Sequence, residues 1–103
     1  RNGEILELST DKKSIGDLLN AEFTLHSFFA ESKDKLFLFS DGVTDQFDGD
    51  NIRKFGKSNL RKLLRLYNDV PLRKLGDLIS ENFETYREGT IRTDDVLLLG
   101  ISL

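Results

Sequence analysis

Apolar positions along the chain change period twice, and the changes mark out its elements. Glu22 to Phe29 alternates, with Phe23, Leu25, Ser27 and Phe29 on one side and Thr24, His26 and Phe28 on the other, which predicts a half-buried strand. Gly3 to Ser9 ("GEILELS") is a shorter strand candidate. The polar connection between the two, "TDKKSIGDLLNA", carries no clear period. Lys35 to Ser40 is apolar on both faces through Leu36, Phe37, Leu38 and Phe39, the pattern of a strand covered on both sides. The short link "AESKDK" predicts that it runs antiparallel to its predecessor.

The period then becomes helical. From Ser58, a predicted cap, Leu60, Leu63, Leu64 and Tyr67 share one face. "NDVP" ends that helix and opens another, with Pro71 tolerated in the first turn. Leu72, Leu75, Ile79, Phe83 and Tyr86 form its stripe, and Gly89 is the predicted stop. "DVLLLGISL" closes the chain as a largely buried strand. Before the helices, "DQFDGDNIRKFG" carries loop punctuation, with Asp48-Gly49 the expected tight turn. The order predicts an α+β class: an antiparallel sheet with two helices inserted before the last strand.

Composition narrows the chemistry. The 103 residues suffice for one core, and 38% hydrophobic residues with eight Phe argue against disorder. A net charge of -3 offers no case for nucleic acid or an anionic membrane as partner. Without Cys and with a single His, disulfides, thiolate sites and a multi-histidine zinc site are excluded. No apolar run reaches membrane-spanning length and no signal-peptide pattern is present, so the expected location is the cytoplasm, or a cytoplasmic domain of a larger sensor protein. The chain opens at Arg1 on a strand-like segment, which predicts a piece of a longer protein.

Two acidic sites stand at strand margins. Asp41 follows the third strand, and Asp94 and Asp95 precede the last. If those strands are antiparallel neighbours, carboxylates some fifty residues apart in the chain converge at one rim. Crowded carboxylates repel unless one is protonated or a cation sits between them. Hard divalent ions, Mg²⁺ and Mn²⁺, favour such oxygen ligands, and a pair of them can promote an in-line phosphoryl displacement. Gly42 would let backbone approach closely. On spacing alone the alternative stays open that these acids mark a turn and a strand end.

Other candidates weigh toward structure. Asp45 suits a loop or helix cap better than a supporting role behind Asp41. "FDGDN" lacks the acidic spacing and terminal Glu of a calcium loop, leaving a solvated turn. His26 has no Ser or Asp arrangement to serve. Lys57, Arg61, Lys62 and Arg65 fall opposite an apolar stripe, the ordinary solvated side of a surface helix.

Three blocks in order, "GEILELSTDKKSIGD", "DKLFLFSDGVTDQFDGDNIRKFGKSNLRKLL" and "TDDVLLLGISL", resemble the C-terminal half of the metal-dependent PPM-type serine/threonine phosphatases. The nearest branch is the bacterial sporulation stage II E type, regulators of sigma-factor partner switching. The resemblance implies part of an α-β-β-α sandwich with a two-metal Mn²⁺ or Mg²⁺ centre at the edge of the stacked sheets. It assigns Asp41 and Asp94 as metal ligands, with Gly42 beside the first and Asp95 as second choice to Asp94. The implied reaction is hydrolysis of phosphoserine or phosphothreonine on a signalling phosphoprotein, of the anti-sigma-factor-antagonist type, with no covalent enzyme intermediate.

The chain also departs from the family. The upstream aspartate and the Asp-Gly pair that bridges both metals belong to the N-terminal half and have no equivalent here. Residues 1–103 are therefore expected to be the C-terminal portion of one phosphatase domain, inactive by itself. Arg92 stands where the family often has Gln, two positions before Asp94, able to weaken metal binding or to meet a phosphate. The rival reading is a non-catalytic interaction domain of the same fold that has lost its metals; a third is a complete small domain with incidental acids. Exposed strand edges and sheet face predict dimerisation of the fragment.

Overall fold

The computed structural model describes residues 1–8, 25, 27–92 and 94–103. Among the described residues the sheet is one antiparallel pair, β1 (Lys35–Phe39) with β2 (Leu98–Ser102), so the two strands that flank the acids are neighbours. Register runs from Lys35 opposite Ser102, through Phe37 opposite Gly100, to Phe39 opposite Leu98. Alternation then sorts the side chains: Phe37, Gly100 and Leu98 share one face, and Leu36, Leu38, Leu99 and Ile101 the other.

Between the strands lie α1 (Asp41–Thr44), α2 (Gly56–Leu66) and α3 (Leu72–Tyr86). The two predicted stripes meet: Leu60 and Leu63 of α2, Leu75, Ile79 and Phe83 of α3, Val43 of α1 and Phe55 form the buried core. Full burial of each large aliphatic or aromatic side chain contributes about 1.5–3 kcal/mol. Phe55 stands edge-on to Phe83 and Tyr86, at ring-centroid distances of 5.8 and 5.2 Å. Phe37, Leu72 and Leu98 pack against this cluster, which places α3 over the first sheet face. The fit is close at Gly100, where a Cβ would lie 3.0 Å from the Phe37 ring and 3.2 Å from Leu72 and would make those side chains shift. The Lys35 ammonium donates to the carbonyls of Asn68 and Val70, satisfying acceptors left where α2 ends.

Several sequence expectations change. β1 is covered on one face only, and Leu36, Leu38, Leu99 and Ile101 stay exposed at 37%, 54%, 48% and 39%. Its partner among the described residues is β2. Leu25 and Phe29 are exposed and Ser27–Ala30 forms no strand; residues 22–24 and His26 lie outside the described residues. Residues 3–8 are also irregular, and Ser9 and "TDKKSIGDLLNA" likewise lie outside the described residues. Alternation defines faces, but a strand also requires a backbone partner, and residues 3–8 and 27–30 pair with no described strand. Helix α2 starts two residues before Ser58, because Gly56 takes φ +74°, a turn open to glycine, and the Phe55 amide bonds the Gln46 carbonyl at 2.6 Å. Gly89, at φ +86°, ends the turn that follows α3.

The basic face of α2 is engaged rather than wholly solvated, since Lys57 and Arg61 both pair with Glu7. Arg1 reaches back across the 29–34 turn, its guanidinium donating to both Asp34 oxygens at 3.1 and 2.9 Å and to the Phe29 carbonyl. With the Glu31 amide also donating to it, the Asp34 carboxyl is held at a pKa of about 2.

Candidate metal centre

The convergence expected of the acids starts from Ser40. Its amide donates to the Leu97 carbonyl at 2.9 Å, its hydroxyl donates to the Asp95 carbonyl at 2.9 Å, and the same oxygen accepts from the Leu97 amide at 2.9 Å. Ser40 is thus the last rung between β1 and the segment entering β2, and Asp41 follows directly as the first residue of α1.

Gly42 then meets the other acids from below. It is buried, and a Cβ there would lie 2.1 Å from the Asp95 carbonyl oxygen, 2.7 Å from its carbon and 3.3 Å from the Asp94 carbonyl carbon. No side chain fits that gap. The first turn of α1 is seated on the Asp94–Asp95 peptide, which joins Asp41, Gly42, Asp94 and Asp95 at one rim.

All three carboxylates are exposed there. One Asp94 oxygen accepts the Asp95 amide at 2.7 Å. No ion pair links Asp41, Asp94 or Asp95 to another described residue. Arg92, which lines an open depression with Asp94, Asp95 and Val96, directs its guanidinium to Glu84 at 2.8 Å. Glu84 also binds Arg87, and the two guanidinium groups hold its carboxyl below the usual range. Negative charge at the rim therefore stays uncompensated by neighbouring described side chains.

The donor set suits a hard cation: oxygen only, water-accessible, with no thiolate. No group of three acidic or imidazole side chains closes around a point among the described residues, so a cation there would draw further ligands from water or other groups. With that completion the residues fit Mg²⁺ or Mn²⁺.

Other acidic candidates go elsewhere. Asp45 is the C-cap of α1; its amide bonds the Asp41 carbonyl at 2.8 Å and its carboxylate lies 3.5 Å from Lys54. Asp48 closes the expected turn, accepting from the Ile52 and Arg53 amides at 2.9 and 3.4 Å, which lowers its pKa.

Two residues that the sequence reading did not single out hold the rim together. One is Ser40. The other is Gln46, 0% exposed, whose Nε2 donates to the carbonyls of Phe47 and Ile91 at 3.2 and 2.9 Å. Both lie in the "SDGVTDQ" block, whose polar residues gave the only signal.

The family model for Stage II sporulation protein E (SpoIIE) matches residues 1–103, the whole chain. No curated protein and no solved structure gives a match. With the three blocks in order and two α+β segments meeting at an acidic rim, the chain belongs to the SpoIIE family, a family of phosphatases.

Proposed function

We propose that this chain supplies the C-terminal part of a PPM-type domain that hydrolyses phosphoserine or phosphothreonine on a bacterial signalling protein, an anti-sigma-factor antagonist by resemblance. The observation that carries the proposal is the seating of Gly42 on the Asp94–Asp95 peptide, which gives distant carboxylates one rim.

In this reading Asp41 and Asp94 are the ligands to Mn²⁺ or Mg²⁺, with Asp95 beside them. A bound pair of divalent ions would supply water activation and stabilisation of the charge that develops on the transferred phosphoryl group. The chain's own residues set the geometry. Ser40 fixes where β1 ends, Gly42 fixes the separation of the two acidic segments, and exposure of the carboxylates leaves the rim open to a phosphorylated side chain. The remaining ligands would come from outside these segments.

The test is Mn²⁺ titration of the ¹⁵N-labelled chain, with broadening expected around Asp41-Gly42 and Asp94-Asp95 together. In a longer protein carrying the rest of the domain, Asp41→Asn should abolish Mn²⁺-dependent phosphatase activity. A fully active Asp41→Asn enzyme would overturn the assignment. A wild-type protein that binds its phosphoprotein without hydrolysing it would favour an interaction domain.

A further inference from the structure

Gln46 is wholly buried, and its orientation is settled by chemistry. Both groups near Nε2, the carbonyls of Phe47 and Ile91, can only accept, so the NH₂ must face them. Oε1 is left buried without a partner among the described residues. An apolar side chain of the same length would fill the space without burying the unpartnered Oε1, so space-filling does not explain an amide here. What only the amide supplies is the bond to Ile91, 45 positions away and three residues before Asp94.

Ser40 provides the matching contact at the other end. It binds the Asp95 carbonyl and both polar backbone groups of Leu97. Ser40 and Gln46 flank α1 and bind backbone on either side of Asp94, Gln46 at Ile91 and Ser40 at Asp95 and Leu97. Gly42, between them, forms the contact surface. Contacts on one side alone would let Asp94 and Asp95 pivot about Gly42; contacts on both sides oppose that motion.

We infer that Gln46 is a positioning residue for the acidic rim, its amide fixing Ile91, three residues before Asp94, beside the turn that begins at Asp41. The inference rests on the proposed metal reading for its catalytic consequence alone; the positioning can be tested without metal.

The test is amide hydrogen exchange on the ¹⁵N-labelled chain bearing Gln46→Met, which keeps length and removes the donor. The Ser40 and Leu97 amides report the clamp, and interior amides of α2 and α3 report global stability. Exchange at Ser40 and Leu97 should rise roughly tenfold or more while the helices stay protected. Equal acceleration throughout would reduce Gln46 to general stability, and unchanged Ser40 and Leu97 amides would remove it from the clamp; either overturns the inference. If Gln46→Met does not fold, Gln46→Asn keeps the amide but shortens its reach, and the same pattern is expected. Mn²⁺ added to the variant should require a severalfold higher concentration for the same broadening. If Mn²⁺ leaves the wild-type spectrum unaltered, the metal reading fails while the exchange result still decides the role of Gln46.

Discussion

Two Asp-Gly pairs lie seven residues apart, Asp41-Gly42 and Asp48-Gly49, and the chain uses them differently. Their glycines do the same job. A Cβ on Gly49 would lie 2.3 Å from the Glu88 carbonyl oxygen, much as one on Gly42 would lie 2.1 Å from that of Asp95. Both seat a turn on distant backbone. The carboxylates differ. Asp48 is occupied by the amides of its own turn, whereas Asp41 has no ion pair among the described residues and is exposed. An aspartate satisfied by its own backbone is a structural part, and one left unsatisfied at a junction of acids is available to a ligand. The dipeptide alone does not separate the two cases.

The comparison is best broken at the glycines. Gly42→Ala pushes a methyl into backbone oxygen and carbon that have no rotamer to yield, and should cost about 3 kcal/mol by denaturant unfolding. Gly49→Ala meets one close backbone oxygen, with the next atom at 3.5 Å, and should cost less, about 2 kcal/mol. Equal tolerance of both would mean that neither junction is tight. Asp48→Ala removes the acceptor for two exposed turn amides and should lower the denaturant midpoint by less than Gly49→Ala does.

Acid titration sharpens the same contrast. The Asp48 carboxyl is lowered by the Ile52 amide, and that of Asp34 is held at about 2 by Arg1 and the Glu31 amide. Each contributes stability that is complete above the unfolded carboxylate value of about 3.9 and is lost as pH falls through the lower folded value. Unfolding followed from pH 5 downward should therefore show a shallower acid loss in Asp34→Asn and, less strongly, in Asp48→Asn. The smallest stability effect is expected at Asp41→Asn, within about 0.5 kcal/mol, since no described contact is removed. That same variant should lose Mn²⁺ broadening at Asp94 and Asp95. A large destabilisation instead would make Asp41 a second Asp48.

Legibility followed the range of the interactions. Helices α2 and α3 were plain from the spacing of Leu60, Leu63, Leu75, Ile79 and Phe83, because helical bonds are local and the stripe names its own buried side. The turn at Asp48 was visible for the same reason. The start of α2 was missed because Gly56 and the Phe55–Gln46 bond, rather than Ser58, decide it. Residues 27–29 illustrate the converse: they end an alternating pattern suited to a strand but pair with no described strand.

The sequence by itself determined the α+β class, the two helical stripes and which acids stand beside β1 and β2. It also suggested that those acids would meet if the strands paired, but could not supply the pairing. Tertiary structure decided that pairing, the single covered face of the sheet and the seating of Gly42 on Asp95. It also decided that Ser40 and Gln46 join segments some fifty residues apart. The reason is physical: a local period records which side of an element is apolar, whereas strand partners, close backbone contacts and side-chain-to-carbonyl bonds exist only once distant segments are packed together.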